Sequence, residues 1–147
     1  MNTFFTDEYF MKKALEEAQK ALEEDEIPVG AIITTNNQII AKGYNLTQKL
    51  NDVTAHAEIQ AITAASGYLG GKYLKNCTLY VTLEPCIMCA GALFWSQISR
   101  VVFAADDPKR GFRTVGNLLH PKTEIQSGVL QHEAKQLLHQ FFNKKRK

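Results

Sequence analysis

The sequence predicts an α/β fold in which a single mixed sheet of about five strands carries helices on both faces. Three observations lead there. Helical and strand periodicities alternate along the chain in the order α-β-β-α-β-α-β-(β)-α. The 147 residues, 45% of them hydrophobic, suit one compact unit with a buried core. No internal repeat interrupts the series and no stretch has a disordered-linker composition, so residues 1–147 are expected to form one domain.

Each element has its own signal. From Asp7 to Glu24, apolar residues recur at Phe10, Ala14, Leu15, Ala18, Ala21 and Leu22, a helical period that Pro28 closes. PVGAIITT and QIIAKGYN read as two strands joined in a tight hairpin at Asn36-Asn37. After a polar loop, Thr54 is placed to cap a helix running to about Ala65, with Gly67, Gly70 and Gly71 ending it. TLYVTL is a buried strand, and Pro85 suits the first position of a helix through Ser96. SRVVFAA is a further strand. Residues 106–122 are loop-like, and Thr123 to Gln126 can form a short strand. A last helix spans Leu130 to Asn143, with Leu130, Ala134, Leu137, Leu138, Phe141 and Phe142 on one face.

Composition narrows the setting. No run approaches the roughly 20 apolar residues of a membrane span, and MNTFFTDEYF lacks a basic and apolar leader pattern, so a soluble cytoplasmic protein is expected. Three cysteines do not make a disulfide framework, and Cys77, inside CTLYVTL, reads as a small core residue. The net charge of +2 conceals an asymmetry: residues 1–30 carry net −5 and the remainder net +7. The ending Lys144-Lys145-Arg146-Lys147 is either a phosphate-attracting patch or a solubilising tail.

Two short segments carry chemistry: Thr54-Ala55-His56-Ala57-Glu58 and Glu84-Pro85-Cys86-Ile87-Met88-Cys89. Cys86 and Cys89, three apart at a helix start, lie about 60° apart around the axis and can point toward one ion. A helix N-terminus also favours thiolates. His56 adds a neutral nitrogen. Three ligands leave one corner of a tetrahedral zinc open, whereas a structural site fills all four with protein. Cys77 and the later His120, His132 and His139 offer no evident fourth ligand. Water in the open position ionises near pH 7. Glu58, two residues after His56, projects about 200° away on a helix and suits proton transfer better than ligation. Taken singly, Cys-x-x-Cys also fits a thioredoxin-type redox pair or half of a structural zinc site, and His-x-Glu a surface or capping pair.

Together the two segments match His-x-Glu…Pro-Cys-x-x-Cys, the known signature of zinc deaminases. The likeness goes further. Pro28-Val29-Gly30-Ala31, Gly43-Tyr44-Asn45, Thr54 to Ile59, Thr78 to Cys86, Met88 to Ala92, Arg100-Val101-Val102-Phe103 and Phe141-Phe142 before a basic cluster extend it. From about residue 7 to the C-terminus the chain resembles the bacterial tRNA-specific adenosine deaminases, with a cytidine deaminase-like three-layer fold. The resemblance implies a homodimer, with one Zn2+ per subunit, that converts the wobble adenosine of a tRNA anticodon to inosine. It implies that His56, Cys86 and Cys89 bind the metal and that Glu58 shuttles protons. It further implies that Asn45 bonds the flipped base, that the Ala57 amide orients it, and that Val29, Glu84 and Asp107 also contact substrate. Lys144, Lys145 and Arg146, with Arg110, are then candidates to meet the anticodon stem-loop.

One stretch departs from the family pattern. After the Val-Val-Phe strand, Asp107, Lys109 and Gly111 match, but Phe112 and Arg113 stand where small residues are usual. Arg110 and Arg113 read either as phosphate contacts or as ordinary exposed loop residues. Two rivals share the motifs: a deaminase of a free base, nucleoside or nucleotide (guanine, cytosine or cytidine), and a nucleic-acid-binding module with a purely structural metal. Iron or another divalent ion also suits the same ligands.

Overall fold

A computed structural model describes residues 4–145. The elements run in the expected order: α1 (Asp7–Glu23), β1 (Gly30–Thr35), β2 (Gln38–Tyr44), α2 (Ala57–Leu69), β3 (Cys77–Leu83), α3 (Ile87–Ser96), β4 (Arg100–Ala105), β5 (Glu124–Ser127) and α4 (Gln131–Lys145). A single 3-10 turn, Phe112–Thr114, interrupts the loop between β4 and β5. The five strands form one sheet in the order β2-β1-β3-β4-β5. The β1 strand pairs antiparallel with β2 and β3, while β3–β4 and β4–β5 are parallel. The sheet is mixed, as expected.

Strand alternation sorts the core into two layers. Ala31, Ile33, Leu79, Val81, Val101 and Phe103 face α2 and α3, where they meet Ala57, Ala61, Ala90 and Leu93. Ile32, Tyr80, Val102 and Ala104 face the other way, against Phe10, Met11 and Ala14 of α1 and Ala134 of α4. Helices therefore cover both faces. The hairpin is built by Asn36 and Asn37, whose φ angles of 50° and 61° are the paired left-handed conformations of a tight hairpin turn. Cys77 is buried, as its apolar strand predicts.

Four boundaries differ from expectation, each for a local reason. Thr54 does not cap α2: its amide and hydroxyl both bond Asp52 Oδ1, at 2.8 and 2.7 Å, in a turn before the helix. The cap is His56, and α2 runs on through Gly67 to Gly70, which takes the left-handed conformation at φ 71°. Pro85 precedes α3 rather than opening it, because Cys86 is the cap. Leu130 lies just outside α4 with φ 58°, and Phe142 is exposed rather than packed.

Gly43 governs how closely α2 approaches the sheet. A Cβ at this position of β2 would press on the α2 backbone, 2.6 Å from the Ala57 carbonyl and 2.9 Å from the Ala61 amide. Its absence lets the first turn of α2 lie directly on the sheet.

At the other face, Asp7 in the first turn of α1 accepts from Arg100 Nη1 and Nη2, at 2.7 and 2.8 Å, and from Tyr80 Oη at 2.9 Å. The Arg100 guanidinium holds the Asp7 carboxyl below its usual range against the opposing effect of burial, and the Tyr80 hydroxyl helps. A depressed carboxylate stabilises the fold above its unfolded pKa, and that contribution is lost as pH falls through the folded value. Asp7→Asn is expected to cost about 1–2 kcal/mol in urea unfolding at pH 7, and the gap to the parent should narrow as pH falls below the ordinary carboxylate range.

Candidate active site

His56 and Cys86 each occupy the cap position of a helix, and both are extended there, with ψ 158° and 176°. Neither side chain is used for capping. They are free to turn toward one another, and Cys89, in the first turn of α3, joins them. His56 Nδ1 lies 3.6 Å from Cys86 Sγ and 3.5 Å from Cys89 Sγ. Among the described residues these three form the only cluster of His, Cys, Asp or Glu able to hold a metal ion.

The spacing fits zinc. Zn–N near 2.0–2.1 Å and Zn–S near 2.3 Å place tetrahedral ligands about 3.6 Å apart. The thiols are already polarised for the task. A hydrogen bond from Cys89 holds the Cys86 thiol down to about 4, aided by His56, while burial opposes. The same bond and burial push Cys89 up. His56 is raised chiefly by its bond to Cys86. Cysteine pairs with one thiolate formed and the second proton shared bind zinc by releasing that proton.

Glu58 is 4% exposed, one position into α2 beyond Ala57. The helical wheel places it on the side of α2 away from His56. In the structure both reach the same cavity, because His56 is extended and lies outside the helical turn. Glu58 still does not join the ligand cluster, as expected. Burial pushes its carboxyl up to about 7, outweighing its own amide and the charge of His56. An acid poised near neutrality both takes and gives protons.

These groups open into a cavity of about 190 Å3 walled by Ile27, Val29 and Leu83 and by the polar Asn45, Glu58 and Glu84. That is less than the roughly 300 Å3 of drug-sized ligand sites and suits one planar base. Asn45 is 7% exposed, and its two side-chain bonds, to the Ile27 carbonyl and from the Thr47 amide, are both long at 3.4 Å. A ligand can take them over at small cost. Ala57 heads α2 and lines the same cavity, as do Val29, Asp107 and Arg110.

Other expected contacts fall elsewhere. Glu84 lines the cavity, but its carboxylate is engaged by the loop after β4: Oε1 accepts from the Asp107 amide and Arg113 Nη2, and Oε2 from the Arg113 amide. Arg113 is therefore a counter-ion and not an idle phosphate contact; its guanidinium also sits 4.8 Å over the Phe103 ring. Phe112 is fully buried against Phe103. Lys144 and Lys145 end α4, where Lys145 Nζ pairs with Asp25 Oδ2 at 2.6 Å. Arg146 lies outside the described residues. Sequence reasoning missed Ile27, Thr47 and Leu83 as cavity walls. Only the period-2 alternation of β3, continued to Leu83, carried a hint.

A metal corner that protein leaves free, beside a buried acid and a base-sized cavity, is what a zinc-dependent hydrolytic deaminase requires. Residues 5–105 match the model of the cytidine and deoxycytidylate deaminase zinc-binding region. The tRNA-specific adenosine deaminase of Aquifex aeolicus is 48% identical over 144 residues, covering 95% of both chains. A solved tRNA:A34 deaminase, studied for A-to-I editing at the wobble position of transfer RNA, superposes with TM-score 0.82. It is 41% identical, over 88% of this chain and 99% of that one. The guanine deaminase of Nitrosomonas europaea shares the fold at TM-score 0.83 and 27% identity, over 92% and 84%. The chain belongs to the tRNA-specific adenosine deaminases, within the cytidine and deoxycytidylate deaminase family.

Removing one thiolate leaves two ligands, too few for a stable site. Cys86→Ala is expected to lose zinc, from one ion per chain to less than about 0.1 after mild chelation, by elemental analysis. Full metal retention would refute the ligand set.

Proposed function

We propose that this enzyme hydrolyses adenosine at the wobble position of tRNA to inosine, releasing ammonia. The observation that carries the reading is the near full-length kinship with tRNA-specific adenosine deaminases. A groove of about 640 Å3 shares Ile27 and Thr47 with the cavity; its Lys49 and Lys145 are paired with Glu24 and Asp25 on the same wall, and Glu26 adds a third acid, so it is not a cationic track. Arg110, exposed where it lines the cavity, is the candidate phosphate contact nearest the site.

His56, Cys86 and Cys89 hold zinc, which supplies an acidified water as the nucleophile. The chain's own residues do the rest. Asn45 presents both an amide donor and an acceptor to the base edge, and the Ala57 amide at the head of α2 adds a donor. Val29 and Leu83 exclude solvent. The Glu58 carboxylate takes a proton from the attacking water and passes it to the ring nitrogen, then takes the proton of the newly added hydroxyl and passes it to the departing amine, ending as it began. Water is added across the C–N bond and ammonia leaves, so the balance closes.

A free-base reading has one observation in its favour: the cavity alone holds a base, and a guanine deaminase shares the fold. Incubation with an anticodon stem-loop RNA, adenosine, cytidine and guanine separates the two. Inosine should form in the RNA, with the small molecules at least about 100-fold slower, as expected where remote contacts drive turnover. Guanine consumed with the RNA untouched would reverse the assignment. Glu58→Ala should keep its zinc and lower kcat by at least about 100-fold.

The homodimer belongs to the same reading. On α3, Ile87, Met88 and Trp95 are exposed on one stripe with Gly91 and Ala92, and Trp95 is 76% exposed. A second copy is the partner that the kinship suggests for this face. Trp95→Glu should shift a dimer to monomer in sedimentation at micromolar concentration. No helix among the described residues is long and apolar enough to cross a membrane, and a cytoplasmic location is part of the same proposal.

A further inference from the structure

The cavity wall at Asp107 and Arg110 belongs to a loop that is anchored at one end by an ion pair of Asp106 with Lys135 and at the other by Phe112, buried against Phe103. Asp107, Lys109 and Arg110 make a tight turn in which Asp107 Oδ1 accepts from the Lys109 and Arg110 amides, at 3.2 and 3.1 Å. That turn fixes the three residues relative to one another but not relative to the site. A further connection goes through the segment that precedes the metal ligands. The Phe112 amide donates to the Pro85 carbonyl at 2.9 Å, and Gly111 bridges Cys86. The largest share falls to one side chain. Glu84, 4% exposed, accepts from the Asp107 amide at 3.1 Å, the Arg113 amide at 3.1 Å and the Arg113 guanidinium at 3.2 Å.

All three donors come from the loop. A buried carboxylate satisfied in this way cannot also bind a base with the same oxygens unless the loop lets go. Gly111 shows how closely the parts fit: a Cβ there would overlap the Glu84 carboxylate and stand 2.7 Å from the Asp107 carbonyl. Arg113, whose guanidinium lies on the Phe103 ring, is held from a second side.

We propose that Glu84 is a positioning residue, and that with Arg113 it forms a latch holding the Asp107–Arg113 loop as a fixed wall of the substrate cavity. Through this latch Asp107 and Arg110 are presented to the RNA already ordered, so binding does not have to order them. Glu84 lies outside the metal-ligand cluster, and its oxygens are taken by loop donors. Its removal therefore acts on substrate capture and leaves the proton chemistry of Glu58 alone. Arg113 adds a side-chain bond to the backbone bonds of the loop, so the loop is fastened from two directions.

The kinetic consequence of the latch rests on the RNA reading and the structural one does not, and two measurements keep them apart. The first is amide exchange in the zinc-loaded protein without RNA. In Glu84→Gln and in Arg113→Ala the Asp107 and Arg113 amides should exchange at least about tenfold faster, since each variant removes bonds that close the loop. Arg113→Lys, which keeps charge but loses the planar fork, should fall between. The second is deamination of an anticodon stem-loop RNA. KM should rise about tenfold in Glu84→Gln with kcat within about twofold, and the double variant should be no worse than Glu84→Gln alone. If Glu84→Gln does not fold, the exposed Arg113 variants carry both measurements. Unchanged exchange overturns the latch, as does a loosened loop with unaltered KM, a kcat that falls in step with kcat/KM, or multiplying effects in the double variant. If the parent enzyme ignores RNA, the functional reading fails while exchange still decides the latch.

Discussion

The site depends on two helix N-termini meeting at one point. His56 caps α2 and Cys86 caps α3, and their ligand atoms lie 3.6 Å apart. Each helix directs unpaired amides and the positive end of its dipole at that point. A thiolate gains from such a field, which is why cysteines work here as ligands. The sheet enforces the meeting: β2 delivers the chain to α2, β3 delivers it to α3, and β1 between them sets the distance. Gly43 then allows α2 to settle on β2 without a Cβ in the way.

Two buried glutamates near this point show how environment divides labour within one residue type. Burial raises the carboxyl of each. In Glu84 the Arg113 guanidinium and the amides of Asp107 and Arg113 reverse the effect and hold it below the usual range. In Glu58 its own amide and His56 do not, and it comes to rest near 7. The first is a fixed anion that organises a loop. The second is a carboxyl that exchanges its proton near neutral pH, as general acid–base work requires.

Features set by neighbours in sequence were legible; those set by distant partners were not. Asn36-Asn37 announced a hairpin because adjacent left-handed residues define that turn. Cys86 and Cys89 announced a ligand pair because three residues bring two side chains onto one helix face. Three helix starts lie one or two residues later than the pattern suggested; at α2 the reason is that capping competes with other local bonds, and Asp52 takes the Thr54 hydroxyl. The cavity walls at Ile27 and Leu83 come from segments more than 50 residues apart, and no local period joins them. Arg113 read as a loop cation because nothing in the sequence ties it to Glu84, 29 positions away.

The same distinction explains why the metal centre identifies a chemistry more readily than a substrate. Ligands and proton carrier sit within a few residues of two helix caps, so the chemistry is encoded locally in the sequence. The rest of the cavity is assembled from farther apart, with Asn45 after β2 and Asp107 and Arg110 after β4 reaching it from separate parts of the chain. A guanine deaminase and a tRNA deaminase both share this fold, so the fold alone does not name the substrate. The chemistry is placed at the ends of helices, and the cavity wall beside it is a loop that bonds a buried carboxylate and buries Phe112 in the core.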